Sequence, residues 1–434
     1  MSMIEELHAL SSGRRQGIIQ WDRKRDRYGF RYDEAWRNGG SEAFPLSLSM
    51  PFAATAHSHD TIEAFLWGLL PDNEGVLKRW GERFQVSARN AFRLLMHVGE
   101  ECAGAVQLVQ AEKAAEWLAA PLSGKVKWLG ESEVAERLQL LLKDHSATRI
   151  QTDQGHFSLA GAQPKTALHY DPKGDRWGVP FGSIPTTHIF KPSTGDFDGY
   201  AENEHFCMAL ARRLGLSAAS SVIQRFGEVP VIVVERYDRV RSGARVQRIH
   251  QEDMCQALAV MPHLKYQNQG GPSAAQIMQL IREYSSAREV DTRRFLDALI
   301  LNWLIAGTDA HAKNYSFLIA PGGQVRLAPL YDLASSLPYP QQVYPRHATM
   351  AMKIGNHYKV LQIGPREWKK AAADLHCQPD GLRARIVELA TAIPDAAGEI
   401  QRDMKAQGIT HGVIQRLVEA MRRRCKDCTA AFNA

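Results

Sequence analysis

The sequence predicts an α+β protein in which a small α/β module precedes two lobes, one rich in strands and one mainly helical. Three observations predict it. Strand-like and helical patterns are mixed up to about residue 145, strands gather around one helix from there to about 250, and beyond Gln251 nearly every segment has helical spacing. We therefore divide the chain into residues 1–145, 146–250 and 251–434. With 434 residues, 44% apolar and 23% charged, it has the length of two or three ordinary domains and a globular composition.

In the first module, Gly17 to Trp21 and Tyr28 to Tyr32 read as strands separated by the charged turn Asp22 to Arg27. Helical spacing follows at Thr61 to Leu70, Glu74 to Phe84 and Ala88 to His97, and Gly104 to Val109 returns to strand. In the second unit the strands are Lys165 to Tyr170, Thr187 to Lys191, Ser221 to Phe226 and Val229 to Glu235. Ala201 to Leu214 reads as a helix that Gly215 stops. In the third, the apolar helix Phe295 to Ala306 leads into a loop at 307–314, and a strand, a turn and a second strand fill 315–330.

Composition excludes several classes. The longest apolar runs, such as Ala298 to Ala306, are broken by Asn302 and are too short to span a bilayer. The start, Met1 to Arg15, has no apolar core of a secretory signal, and six scattered cysteines suit a reducing compartment, so a cytoplasmic protein with no membrane partner is expected. Cys425 and Cys428 form a C-x-x-C without a second pair, and His57-Ser58-His59 lacks a third ligand, so neither reads as a metal site. A net charge of +6 falls short of a protein that reads DNA unaided. Arg422 to Arg424 with Lys426 reads as cations at a helix end, with contact to nucleic acid or an acidic partner as the alternative.

The chemistry is concentrated in Gly307-Thr308-Asp309-Ala310-His311-Ala312-Lys313-Asn314 and the Leu330-Tyr331-Asp332 that follows a short hairpin. Phosphoryl transfer needs a carboxylate to orient the acceptor hydroxyl and oxygen ligands to hold magnesium on the nucleotide. Asp309 and Asn314 stand in the D-x-x-x-x-N spacing of a kinase catalytic loop, and the hairpin returns Asp332 to the same place as a second metal ligand. His311 is placed to steady the transferring phosphate as a cation or donor, or else to cap or pack. Upstream, Ser158 to Thr166 is a run of small residues whose backbone can approach phosphate, although Pro164 breaks the P-loop pattern and a plain β-turn is the alternative. Lys191 follows on a strand, and Glu204 on the next helix is the favoured carboxylate to hold it, ahead of Glu202. A strand-rich lobe with this order of groups, followed by a helical lobe, is the layout of a divergent two-lobed protein kinase.

Together, Ser158-Leu159-Ala160-Gly161-Ala162-Gln163-Pro164-Lys165-Thr166, Glu202-Asn203-Glu204, Val234-Glu235-Arg236-Tyr237-Asp238-Arg239, Thr308 to Ser316 and Pro329 to Asp332 resemble the HipA family of toxin serine/threonine kinases. Leu69-Leu70-Pro71-Asp72-Asn73-Glu74 and Gly99 to Val106 extend the resemblance over nearly the whole chain. The resemblance implies Asp309 as catalytic base, and Asn314 and Asp332 as Mg2+ ligands. It implies an ATP site formed by Ala160, Gly161, Ala162, Gln163 and Lys165 of the phosphate loop, with Lys191, Glu235, Arg236, Tyr237, His311 and Tyr331. It implies Ser158 as an autophosphorylated serine, whose new charge would eject the loop. It further implies a HipB-type helix-turn-helix antitoxin, operator DNA reached mainly through that antitoxin, a dimer within that complex, and an aminoacyl-tRNA synthetase such as glutamyl-tRNA synthetase as target, with growth arrest and persistence as the outcome. Pro164, where some relatives have glutamate, and His156 leave the regulation open. A small-molecule kinase of related fold and an antitoxin-binding corepressor are the alternatives.

Overall fold

Alternation along each strand decides which side is buried, and the first sheet shows it plainly: Tyr28, Phe30 and Tyr32 of Arg27–Tyr32 are buried while their neighbours are not. In a computed structural model, which describes residues 3–120, 123–149, 157–195, 197–243 and 245–434, this strand edges an antiparallel sheet. The order is Arg27–Tyr32, Arg14–Asp22, Ile4–Ser11 and Gln107–Gln110. Helices His59–Gly68, Glu74–Phe84 and Ala91–Val98 supply Phe65, Trp80 and Phe92 to the same core. Ser58, Asn73 and Asn90 start them, each accepting a backbone N–H in the first turn, an arrangement worth about 1 kcal/mol apiece. Asn90 explains why the third helix begins at Ala91 rather than Ala88. The His57-Ser58-His59 run is thus a helix start, with His59 Nδ1 accepting from Tyr28 N at 3.0 Å. His156 lies outside the described residues.

The second sheet has six strands, in the order Gly124–Leu129, Arg176–Gly182, Thr166–Asp171, His188–Pro192, Val229–Glu235 and Ser221–Phe226. Its first strand and the helix Glu131–Lys143 precede residue 145, yet both belong here: Val134 and Leu138 pack with Leu168, Val179, Phe190, Val231 and Val233. The strand is an edge carrying Lys125 and Lys127, which is why its sequence does not read as a strand. Because side chains alternate, Phe190 faces that core while Lys191, paired across the ladder with Ile232, faces the other side, where helix Tyr200–Arg213 lies.

The remainder is mainly helical, with Ala274–Tyr284, Arg288–Leu304, Pro365–Asp374, Pro379–Ala406 and Gly412–Asn433 sharing one large core with the first sheet. Arg424 of the last helix donates to the Trp303 and Leu304 carbonyls at the end of Arg288–Leu304, as a cation at a helix C-terminus should. A three-stranded sheet, His250–Asp253, Ser316–Ala320 and Gln324–Leu327, supplies the hairpin read from the sequence. The hairpin Thr349–Ile354 with His357–Lys359 was not anticipated in a region of helical spacing. Among the described residues no helix is long and apolar enough to cross a membrane.

Candidate active site

The strand ladder that exposes Lys191 to one face and the helix beside it decide the first contact. Lys191 Nζ donates to Glu204 Oε1 at 2.6 Å and also to Asp332 Oδ1, so one buried ammonium bridges two carboxylates. Burial alone would lower the Lys191 pKa, but Asp332 and Glu204 outweigh it and hold the ammonium charged. Burial likewise works against Asp332, where Lys191 and Lys165 prevail and keep its carboxyl below the ordinary range. Glu204 lies the other way, raised above its ordinary value by burial.

Two anchors deliver Asp332. A parallel bridge ties Leu330 to Ala218, with Leu330 N donating to Ser217 O and Ala219 N to Leu330 O, both at 2.8 Å. Asn203 clamps the far side, its Nδ2 donating to Ser335 O at 2.8 Å and its Oδ1 accepting from Ser335 N at 3.0 Å. Between these anchors Asp332 takes φ +54, a left-handed conformation that a non-glycine residue holds only when its surroundings impose it.

Asp309 is exposed in the loop after helix Arg288–Leu304, and the Tyr266 hydroxyl donates to its Oδ1. Asn314 Nδ2 donates to the Asp309 carbonyl at 2.8 Å, which leaves Oδ1 as the Asn314 side-chain atom free for a cation. His311 is buried edge-on against the Tyr266 ring, 5.0 Å between centroids, and burial pushes its imidazole down to about 4. Burial therefore favours donation or packing over a cationic role for His311. The loop also carries Lys313, whose ammonium is buried and sits 3.0 Å from Asp72 Oδ1 and 3.7 Å from Asp253 Oδ2. Lys265 reaches Asp72 Oδ2 at 2.9 Å. Burial would raise Asp72, but Lys313 and Lys265 outweigh it and keep its carboxyl below the ordinary range. Sequence reasoning missed this ion network; Asp72 stood in a quoted motif, while Lys265 and Tyr266 carried no signal.

The small-residue loop lies over the same space. Gly161 adopts φ +104, and Lys165 Nζ folds back to donate to Ala160 O at 2.6 Å. Burial pushes the Lys165 ammonium down to about 8, against the pull of Asp332. The loop rests on the first module: Asp72 N donates to Gly161 O and Asn73 Nδ2 to Ala162 O, both at 3.3 Å. Ser158 is fully buried, its hydroxyl donating to Leu69 O at 2.6 Å and its N–H to Glu101 O at 2.8 Å. On the opposite wall the Tyr237 and Tyr331 rings lie 5.4 Å apart, and Tyr331 donates to Lys313 O at 2.7 Å.

Lys191, Glu204 and Asp332, Asp309, His311, Lys313 and Asn314, Asp72 and Lys265, and Tyr237 and Tyr331 line one cavity of about 520 Å³ with Ala160 to Lys165, Glu235 and Arg236, while Ser158 and Tyr266 do not. That volume lies within the roughly 300–1,000 Å³ of small-molecule sites. Arg236 lines the cavity, with its side chain engaged elsewhere. The guanidinium is buried and taken up by Glu101, Asp238, Thr186 and the Cys102 carbonyl, so it clasps the first module to the second sheet rather than reaching a ligand. The donor set fits magnesium bound with a nucleotide: one carboxylate and one amide oxygen, the rest of the shell falling to phosphate and water.

A family model described as the HipA-like C-terminal domain matches residues 157–397, and one described as the HipA N-terminal domain matches residues 7–109. The chain is 34% identical over 98% of its length to Y4mE of Sinorhizobium fredii, a protein whose name assigns it as a kinase by inference, and covers 98% of it. It is 29% identical to the serine/threonine-protein kinase toxin HipA of Shewanella oneidensis, over 88% of this chain and 86% of that one. Among solved structures, HipA from the Shewanella oneidensis complex of HipA, HipB and operator DNA superposes with a TM-score of 0.83, at 25% identity, covering 98% of both chains.

Proposed function

Because the chain belongs to the HipA family, we propose that it is a serine/threonine protein kinase that transfers the γ-phosphate of ATP to a protein hydroxyl. The observation that carries this reading is the bridge of Lys191 between Glu204 and Asp332, facing Asp309 and Asn314 across one cavity. On this reading, Lys191 turns to the α and β phosphates while Glu204 keeps hold of it, freeing Asp332. Asp332 and Asn314 Oδ1 would hold Mg2+, which would supply neutralisation of the charge on the phosphates of ATP. Backbone N–H groups of 160–163 and Lys165 cradle the phosphates, Glu235 to Tyr237 border the adenine with Tyr331, and neutral His311 offers a donor. Asp309, oriented by the Tyr266 hydroxyl, takes the acceptor's proton as the oxygen–phosphorus bond forms, and ADP leaves with the electrons of the broken bond.

The same reading makes Ser158 an autophosphorylation site: its buried hydroxyl reaches ATP only when the loop leaves its seat, and a phosphate there does not fit back against Leu69 O. It makes the protein a cytoplasmic toxin paired with a HipB-type antitoxin, through which it meets operator DNA as a dimer, with glutamyl-tRNA synthetase or another synthetase as target and growth arrest as consequence. The test is intact mass before and after incubation with ATP and magnesium. Wild type gains one phosphate, Ser158→Ala gains none but still phosphorylates a purified synthetase, and Asp309→Asn does neither. A wild-type protein that neither gains phosphate nor forms ADP with any synthetase overturns the reading.

A further inference from the structure

The cleft has a second chamber. A cavity of about 190 Å³ lies beyond Asp309 and Asp332, and both carboxylates line it as they line the larger cavity. It is too small for a nucleotide, below the roughly 300 Å³ where small-molecule sites begin, and it suits a single side chain. Its lining is mixed: Phe197 meets Tyr339 in a T-shaped contact at 5.0 Å and Tyr200 at 5.9 Å, Val343 joins these rings, and Asn302, Thr308, Ser335 and Ser336 add polar positions. Among the described residues that line it, the acidic ones are Asp309 and Asp332, and none is basic.

In-line transfer requires the acceptor hydroxyl to reach Asp309 from the side away from the nucleotide. The backbone of an acceptor segment so placed lays a neighbouring side chain against this chamber. We infer that the chamber is a specificity pocket for the residue flanking the phosphorylated serine or threonine, and that it selects a bulky apolar side chain and rejects an acidic one. Burial against three rings supplies the preference, and two nearby carboxylates in a partly desolvated wall supply the rejection. The inference rests on the protein-kinase reading above.

The test uses the full-length protein, ATP, magnesium and a peptide library with one fixed serine, each flanking position varied in turn. At one flanking position leucine or phenylalanine should exceed glutamate in kcat/KM by roughly tenfold or more, the range one pocket contact provides. Val343→Lys, at the half-buried rim, should raise glutamate relative to leucine at that same position. If peptides are phosphorylated with no flanking preference, or if Val343→Lys leaves the ranking unchanged, the pocket assignment is wrong while the kinase reading stands. If neither peptide nor protein is phosphorylated and no ADP forms, both fall.

Discussion

Glu252 is the sharpest test of how the first module is joined to the rest. It lies on the strand His250–Asp253, fully buried, its Oε1 accepting from Leu48 N at 2.8 Å and its Oε2 2.5 Å from Ser47 Oγ. Burial without a cation raises its carboxyl from 4.5 to about 8, despite the two hydrogen bonds. The folded protein therefore binds a proton that the unfolded chain releases above pH 4.5. Stability at this site is complete below pH 4.5 and drains away by about 1.4 kcal/mol per pH unit until the folded carboxyl ionises near pH 8, some 4–5 kcal/mol in all. Glutamine mimics the protonated form, accepting from Leu48 N and donating to Ser47 Oγ. The wild-type curve alone is a poor readout, since burial lowers His188, His205 and His250 to about 4 and their unfolded-state protonation makes stability rise with pH up to 6.5. The difference between wild type and Glu252→Gln cancels those groups. Urea unfolding followed by tryptophan fluorescence, at steps from about pH 5 to pH 9, should show the variant gaining on wild type steadily and levelling near pH 8. A difference independent of pH refutes the buried, neutral carboxyl.

Three further outcomes are expected. Lys191→Met should reduce kcat/KM for ATP by roughly 10²–10³, the usual loss for one charge-stabilising donor, measured as ADP formation with the fold checked by circular dichroism. Asp72→Asn should leave Lys265 and Lys313 facing a neutral amide, with kcat falling about 10²-fold through misplaced loops; hydrogen exchange should rise in residues 307–315, and unchanged kcat would deny the network its positioning role. Glu101→Gln should cost about 3–5 kcal/mol in urea unfolding, because Arg236, Arg239 and Arg248 share that one carboxylate. Burial opposes ionisation of Glu101 but the three arginines prevail, so its contribution is full above pH 4.5 and is lost on acidification.

What was legible in the sequence is what depends on short separations. Asp309 and Asn314 lie five residues apart in one loop, the hairpin to Asp332 has its length written in its turn, and Lys191 meets Glu204 through one helical register. The ion network is different in kind: Lys265 and Asp72 are 193 residues apart, Glu252 and Ser47 are 205 apart, and no periodicity links such pairs. A buried acid in a sequence looks like any surface acid, because its burial is decided by the other module. The edge strand Gly124–Leu129 was hidden for a related reason, since alternating lysines suited to an edge erase the apolar signal by which strands are read.

The distribution of contacts around the turn at 69–73 bears on how the site could be switched. The loop at 158–165 is held there by the hydrogen bonds of Ser158 to Leu69, Asp72 N to Gly161 and Asn73 to Ala162, each worth on the order of 1 kcal/mol net. The loop at 307–314 is held from the same turn through the ion pair of Lys313 with the Asp72 carboxylate, which Lys265 also contacts, and loss of such a buried pair costs about 3–5 kcal/mol. A phosphate on Ser158 would remove the first bond and crowd the others, while touching none of the ion pairs. The loop at 158–165 is therefore the weaker of the two attachments, and a local charge change can release it without unfolding the loop at 307–314. Ser158→Asp should then raise hydrogen exchange in residues 158–165 and leave residues 307–315 protected; equal loss of protection in both would mean that the turn fails as one unit.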